Sequence, residues 1–167
     1  MSDEQSPKPC TATEDIRFRP ETPSDEALLF EWYASTREEE LALTGWDPAT
    51  RTTFLNLQFQ AMRQGYRSNY PSGEFSVILL AGDPIGRLAV DRTAAEIRVV
   101  DIIVSAAKRN QGVGRRLIAL LQAEATRSSK PLRLRVLRNS RAVRFYRRLG
   151  FSPIGETQVD FELEWRS

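Results

Sequence analysis

The order of apolar and polar positions along the first half of the chain predicts one strand followed by two helices. Ile16 to Arg19 alternates apolar and polar residues, which is typical of a short strand that Pro20 stops. Ser24 is a candidate N-cap, because apolar residues recur at helical spacing directly after it. The Asp47-Pro48 pair interrupts that pattern, and Pro48 is predicted to occupy the first turn of a second helix.

The second half of the pattern alternates strands and helices. A hairpin is predicted at Gly82-Asp83-Pro84, between strands at 75–80 and 85–90. Further elements follow in order: a long strand over 96–104, an amphipathic helix from Val113, a strand over 132–137, a short helix ending at Gly150, and two strands between 151 and 165. A central mixed sheet with helices packed on it is the architecture that this order favours.

Composition indicates one globular domain and excludes several kinds of chemistry. The chain has 167 residues, of which 41% are apolar and 28% are charged. It contains no histidine and one cysteine, so a Ser-His-Asp triad, a His-ligated zinc and a disulfide framework are excluded, and no metal site is expected. Residues 1–14 are predicted to be a disordered leader that lacks the apolar stretch of a signal peptide, and 15–167 to be the domain. We expect a cytoplasmic protein with no membrane span.

The stretch RNQGVG, from Arg109 to Gly114, lies between a predicted strand and a predicted helix. It lacks the spacing and the Lys-Ser/Thr pair of a P-loop, and Leu117 stands where a dinucleotide fingerprint needs a third glycine. Glycines let a backbone approach a ligand closely, and the start of a helix offers unpaired N–H groups and a positive dipole end. The turn is therefore suited to a pyrophosphate, although a plain strand-to-helix turn is an equal alternative.

Two motifs together give the chain a resemblance to a known family. The stretch from Arg109 to Gly114 resembles the Arg/Gln-x-x-Gly-x-Gly/Ala motif of the GNAT superfamily of N-acetyltransferases. The segment NSRAVRFYRRLGF, from Asn139 to Phe151, resembles the family's next motif, a capped helix with a tyrosine and a Leu-Gly-Phe ending. The resemblance covers roughly residues 75 to 165 well and 16 to 70 more loosely. Asn110 departs from the pattern, because family members often have glycine there.

The resemblance implies a fold and a co-substrate. The expected fold is a mixed, mostly antiparallel twisted sheet of about seven strands, with about four flanking helices and a splay between the fourth and fifth strands. Acetyl-CoA would bind in that splay, along the backbone of Ile102, Ile103 and Val104. Its pyrophosphate would bind at the turn, whose residues are Arg109, Asn110, Gln111, Gly112, Val113, Gly114 and Arg115. Asn139 or Ser140 would cap the following helix, and Asn139 would alternatively, or in addition, contact the cofactor.

The resemblance also implies transfer of an acetyl group to a primary amine. Tyr146 corresponds to the family tyrosine that protonates the departing thiolate, although a core aromatic is the commoner role for such a residue. Direct attack by the amine in a ternary complex is expected, since Cys10 is the only cysteine. Glu96 and Asp101 are candidate bases or, equally, ordinary strand residues. They point to opposite sheet faces unless a bulge changes the parity.

The acceptor and the partners are less defined by the sequence. The expected acceptor is a small-molecule or peptide amine, and a homodimer is an open possibility. The acidic run Glu38-Glu39-Glu40 could attract a cationic amine or could simply be a solvated turn. Nucleic acid is not an expected partner, because the aromatic residues fall in apolar patterns rather than among exposed basic residues. The rival function is an acetyl-CoA-binding sensor without efficient transfer.

Overall fold

The computed structural model describes residues 15–167, so the predicted leader at 1–14 lies outside the described residues. The strands are β1 (Ile16–Pro20), β2 (Glu74–Leu80), β3 (Asp83–Arg92), β4 (Ile97–Val104), β5 (Leu132–Leu137), β6 (Ser152–Glu156) and β7 (Asp160–Trp165). The helices are α1 (Glu26–Ser35), α2 (Glu38–Ala42), α3 (Pro48–Asn69), α4 (Val113–Ser128) and α5 (Ala142–Arg148). The short α2 is the element that the sequence pattern did not predict.

All seven strands form one sheet in the order β1-β2-β3-β4-β5-β7-β6. Neighbouring strands are antiparallel except β4 and β5, which run parallel. The mixed and mostly antiparallel sheet that was expected is therefore confirmed. No helix within residues 15–167 is both long enough and apolar enough to cross a membrane.

The parallel pair β4 and β5 separates partway along its length. Residues 97–99 of β4 pair with residues 132–134 of β5, in that order, and the pairing ends there. Beyond that point β5 continues to pair with β7, while β4 continues to pair with β3. The expected splay is confirmed, and it leaves one backbone edge of β4 open from position 100 onward.

Two hydrophobic clusters hold the helices on opposite faces of the sheet. One cluster contains the buried face of α4, with Leu117 and Ile118 fully buried, against β4 and β5. The other contains α1 and α3, with Leu29 and Phe59 packed against Val77 of β2. The helical spacing of apolar residues in α4 arises from this packing, because every third or fourth side chain reaches the sheet.

Three local features correct or sharpen the sequence-based boundaries. Asp25, not Ser24, organises the start of α1: its carboxylate accepts from the backbone N–H of Thr22 at 2.8 Å. The hairpin between β2 and β3 turns at Ala81 and Gly82, both with positive φ, as a two-residue turn of this kind requires. Pro48 occupies the first turn of α3 as predicted, with Asp47 as its N-cap.

A bulge in β4 changes which side chains face each helix layer. Ala89 pairs with Asp101 and Val90 pairs with Val99, so Val100 is an extra residue in β4. Before the bulge, Val99 faces the α4 cluster. After it, Asp101 faces the layer of α1 and α3 instead, which a regular strand would not allow. The bulge therefore determines the chemistry of the site described next.

Candidate functional site

The turn between β4 and α4 adopts left-handed backbone conformations at two positions. Asn110 has a φ of 60° and Gly112 has a φ of 80°. Glycine carries no Cβ penalty in this region, and asparagine tolerates it better than most residues. Asn110 thus fulfils the backbone requirement of the position where glycine is common in the family, and the departure leaves the turn intact.

The turn ends in unpaired backbone donors at the start of α4. The first helical hydrogen bond runs from the Arg116 N–H to the Gly112 carbonyl at 3.1 Å. Among residues 15–167, the backbone N–H groups from Asn110 to Arg115 have no backbone acceptor. Because α4 is a 16-residue helix, its dipole adds a positive partial charge at the same place. Such a turn is suited to bind a phosphate or pyrophosphate.

Arg109 makes protein contacts that the sequence did not predict. Its Nε donates to the Val104 carbonyl at 2.9 Å, and its Nη2 donates to the Ser35 hydroxyl at 2.7 Å. The guanidinium therefore joins the end of β4 to the C-terminal end of α1. Its charge still contributes to the positive field beside the turn.

A cavity of about 590 Å³ extends from this turn into the splay. It lies between α4 and α5, and its basic lining residues are Lys108, Arg109, Arg141 and Arg148. Ile102 and Val104 line its strand side, so the open backbone edge of β4 is accessible from it. We call it the donor cavity, after the acetyl donor that the sequence resemblance leads us to expect there.

Tyr146 lines the donor cavity from α5. Its ring packs against Phe151, with centroids 5.5 Å apart, and the residue is buried. No hydrogen-bond partner for its hydroxyl is present in the part of the chain that the structure describes. Burial, and secondarily the charge of Asp101, raises the pKa of Tyr146 to about 12. The phenol therefore keeps its proton at neutral pH. Tyr146 is therefore a buried aromatic residue that also lines the cavity.

A second cavity of about 610 Å³ lies on the other side of β4. We call it the acceptor cavity, after the amine acceptor that the sequence resemblance leads us to expect beside the splay. Its walls come from α1, α3, β4 and the loops beside them: Tyr33, Thr36, Arg37, Gln58, Ala61, Met62, Tyr66, Asp101, Ile102, Ile103, Leu137 and Ser140. Ile102 lines both cavities, so they adjoin at the splay.

Asp101 is the acidic side chain of the acceptor cavity. Its Oδ2 accepts a hydrogen bond from Arg87 Nη1 at 3.0 Å, and its side chain is 15% exposed. Burial raises the pKa of Asp101, and the positive charge of Arg87 opposes that effect. The result is a carboxylate with a stronger tendency to take up a proton than an exposed aspartate has.

Glu96 is placed differently, although the bulge brings it to the same sheet face as Asp101. Its carboxylate oxygens accept from Arg98 and from Arg133, each at 2.7 Å. Neither cavity includes it among its lining residues. Both oxygens are thus engaged in ion pairs outside the two cavities.

The structure also shows the positions of Asn139 and of the acidic run, whose roles the sequence left open. Ser140 rather than Asn139 caps α5, since the Ser140 hydroxyl accepts from the Ala142 N–H at 3.1 Å. Asn139 lies outside the lining of the donor cavity and borders a neighbouring arginine-rich hollow. Glu38, Glu39 and Glu40 do not line the acceptor cavity.

The sequence offered Tyr33 and Tyr66 as possible walls of an acceptor pocket, and both line this cavity. Gln58 of α3 was missed by the sequence, and its Oε1 accepts from the Tyr33 hydroxyl at 3.2 Å. Burial raises the pKa of Tyr66 above its usual range, and the charge of Asp101 adds to that shift. Helical spacing marked this helix as amphipathic, but no local signal shows which of its side chains meet a sheet residue distant along the chain.

A family model matches the part of the chain that contains the turn and the splay. Residues 71–153 match the model described as an acetyltransferase (GNAT) domain. The matched segment runs from the loop before β2 into β6, so it includes the donor cavity and its turn. A comparison with curated proteins gave no match.

Solved structures share the fold at low sequence identity. PaiA N-acetyltransferase from Thermoplasma acidophilum, in complex with coenzyme A, superposes with a TM-score of 0.67 at 17% identity over 92% of this chain and 99% of that one. An acetyltransferase from Thermus thermophilus gives 0.64 at 18% identity, over 91% and 97%. Ard1 from Thermoplasma volcanium gives 0.59 at 20% identity, over 90% and 97%. The fold thus extends over nearly the whole length of each of these proteins.

Proposed function

The chain belongs to the GNAT superfamily of acetyltransferases, and on that basis we propose that it moves the acetyl group of acetyl-CoA to a primary amine. The observation that carries this proposal is the junction of two cavities at Ile102. One cavity begins at a phosphate-binding turn, and the other contains a carboxylate. Two reactants bound in these cavities would meet at the splay, which favours direct transfer in a ternary complex.

The donor cavity has the features that acetyl-CoA requires. The amides from Gln111 to Arg115 would hold the pyrophosphate, and the open edge from Ile102 to Val104 would bond the pantetheine amides as an added strand does. Lys108 and Arg148 supply positive charge around the same cavity. The superposed PaiA N-acetyltransferase was solved in complex with coenzyme A, which supports this assignment.

Asp101 and Tyr146 would supply the proton transfers. The amine must be neutral to attack, so Asp101 would accept a proton from the ammonium, directly or through a water. The C–N bond forms as the C–S bond breaks, and the departing thiolate would take the Tyr146 proton. The new amide nitrogen would then lose its extra proton, which would return, directly or through water, to the Tyr146 phenolate. A pKa of about 12 keeps that phenol protonated until the thiolate develops. We assign the base to Asp101 rather than Glu96 because both Glu96 oxygens are engaged by arginines.

The acceptor cavity indicates the size and the polarity of the acceptor. A volume of about 610 Å³ lies in the range of small-molecule sites, and one end of a peptide would also fit. Tyr33, Met62 and Tyr66 give the cavity apolar surface, whereas Asp101 would attract the cationic amine before its deprotonation.

An acetyl-CoA-dependent enzyme of this kind would work in the cytoplasm.

Calorimetric titration with acetyl-CoA, 3′-dephospho-CoA, NAD and ATP tests the donor half of the proposal. Selective binding of acetyl-CoA is expected. Free CoA thiol should then appear when amines of different size and charge are added. Asp101→Asn should lower that rate about 100-fold and leave the Kd for acetyl-CoA within about twofold. Failure to bind acetyl-CoA would exclude the donor assignment. Tight binding of acetyl-CoA without release of CoA thiol for any amine would instead indicate the rival function, an acetyl-CoA-binding sensor.

A further inference from the structure

A row of alternating charges leads from the surface of α3 to the acceptor cavity. Arg67 Nη2 lies 3.8 Å from Glu21 Oε2, and Glu21 Oε1 accepts from Arg87 Nε at 2.6 Å. Arg87 Nη1 in turn donates to Asp101 Oδ2 at 3.0 Å. The side chain of Arg67 is 55% exposed, whereas those of Glu21 and Arg87 are each 2% exposed. Only the two ends of this charge row therefore reach solvent or the cavity.

Stability alone does not account for the buried middle of the row. Removing two charges from water costs several kcal/mol per ion, and well-packed apolar residues often replace such a pair without loss. Glu21 Oε2 is buried and has no hydrogen-bond partner, which adds a further penalty. Arg87 is nevertheless held closely, because it lies beside the rings of Tyr66 and Phe75, 5.9 and 5.7 Å from their centroids.

We propose that Glu21 and Arg87 are positioning residues that fix the orientation of Asp101 and set how strongly it holds a proton, with Arg67 modulating them from the surface. The inference rests on the proposed function, in which Asp101 deprotonates the amine. Its physical basis is that Arg87 faces two carboxylates and is shared between them.

Arg87 without Glu21 would make Asp101 a weak base. An opposite charge within about 4–6 Å lowers a carboxyl pKa by about 1–3 units. Glu21 acts in the opposite direction, because its negative charge raises the pKa of Asp101 alongside burial. Asp101 can therefore be oriented by the Arg87 guanidinium and remain basic only because Glu21 places a second negative charge on the same guanidinium.

The other polar groups around Asp101 do not substitute for this pair. Tyr33 and Tyr66 line the same cavity, and the charge of Asp101 acts on Tyr66 and on Tyr146 of α5. The pKa values of Tyr66 and Tyr146 are raised, so these two phenols are neutral at neutral pH. Arg37 is the other charged residue that lines the acceptor cavity, and it pairs with Glu40 at 3.1 Å. The Ile102 N–H lowers the pKa of Asp101 through a hydrogen bond.

A carboxyl ¹³C NMR titration of the protein without ligands tests the inference directly. Asp101→Asn assigns the resonance, and Glu21→Gln is then compared with the wild type. We expect the midpoint of Asp101 to fall by about one pH unit in Glu21→Gln, because Arg87 is left with a single anion. A midpoint within about 0.2 unit of the wild type would refute the proposed role.

Three further variants separate charge from structure. Glu21→Asp keeps the charge and should leave the midpoint near the wild-type value. Arg67→Gln removes the surface cation and should shift the midpoint upward by a few tenths of a unit, opposite in sign to Glu21→Gln. Glu162→Gln breaks the ion pair with Arg98 at 2.7 Å, outside both cavities, and should not move it. Because Arg67 is exposed, Arg67→Gln should fold even if Glu21→Gln does not. In that case an unmoved Asp101 midpoint in Arg67→Gln would reject the inference.

The activity profile distinguishes this inference from the proposed function. If Asp101 is the base, Glu21→Gln shifts the acid limb of kcat/KM to lower pH by the same amount as the NMR midpoint and lowers the plateau rate severalfold. An NMR shift without a shift of the acid limb would support the role of Glu21 and contradict Asp101 as the base. An unmoved NMR midpoint refutes the role of Glu21 whatever the enzyme transfers.

Discussion

Arg109 is hydrogen-bonded to Ser35: its Nη2 donates to the serine hydroxyl at 2.7 Å across 74 positions of sequence. Arg109 opens the turn that is proposed to bind the pyrophosphate, and Ser35 ends α1, which contributes Tyr33 to the acceptor cavity. The same guanidinium donates to the carbonyl of Val104, where β4 ends. One side chain therefore connects the donor turn to both the splayed strand and the helix layer of the acceptor cavity.

Replacing Arg109 with lysine should weaken this connection while keeping the charge. A lysine ammonium lacks the planar fork that reaches both partners. We expect Arg109→Lys to lower the free energy of unfolding by about 1–3 kcal/mol and to weaken acetyl-CoA binding about tenfold. Urea denaturation and calorimetry measure the two effects. Ser35→Ala is the matched control, because it removes only the contact to α1 and should leave the affinity unchanged. An unaltered affinity in Arg109→Lys would show that the guanidinium does not position the turn.

The sequence predicted those parts of the fold whose signals are local. The apolar spacing of Leu117 and Leu121 marked the buried face of α4, and both are buried. Pro48 was predicted in the first turn of the second helix because proline suits that position, and the structure places it there. Such features depend on a residue and its immediate neighbours, so a single chain is enough to show them.

Long-range pairing determined what the sequence did not show. Val100 is an ordinary β-branched residue, and only the register against β3 makes it a bulge. That bulge decides that Asp101 enters the acceptor cavity. Arg87 lies in a stretch whose pattern predicts a strand, with no sign that Glu21, 66 positions away, will meet it in the interior. The charged pair therefore became visible only once the strands were aligned.

Asp25 should make the protein sensitive to acid. Hydrogen bonds from Arg19 at 2.6 and 2.7 Å hold the pKa of this buried carboxyl well below its usual range. A carboxyl group whose pKa is lower in the folded than in the unfolded state stabilises the folded protein above about pH 4. This stabilisation is lost as the pH falls. We expect Asp25→Asn to cost about 2 kcal/mol at pH 7 and progressively less below pH 4, measured by urea unfolding.

The exposed pair of Asp15 and Arg17, at 2.6 Å, provides the control for the Asp25 experiment. Asp15→Asn should leave stability unchanged at every pH, because exposed ion pairs contribute little. A cost of Asp25→Asn that stays constant from pH 7 to 3 would contradict an electrostatic origin.

Gly114 allows the donor cavity to be blocked without backbone strain. Gly112 has a φ of 80°, so any side chain there would strain the turn, whereas no positive φ is present at Gly114. A Cβ at Gly114 would lie 3.5 Å from Phe145 Cζ, an ordinary contact. Gly114→Ala should therefore keep acetyl-CoA binding within a few-fold. Gly114→Trp should fill the space between α4 and α5 and weaken binding at least 100-fold by calorimetry. A folded tryptophan variant with wild-type affinity would place the co-substrate elsewhere.

Tyr146→Phe should separate chemistry from binding. The phenyl ring retains the packing against Phe151, so the Kd for acetyl-CoA should change less than about twofold. Loss of the proton donor should lower kcat about 100-fold. Because the pKa of Tyr146 is raised to about 12, its ionisation should not reduce the wild-type rate below about pH 11. Tyr70→Phe is the control, since Tyr70 lines neither cavity. A rate for Tyr146→Phe equal to that of Tyr70→Phe would show that the thiolate takes its proton from another donor, and Tyr146 would then serve only the core.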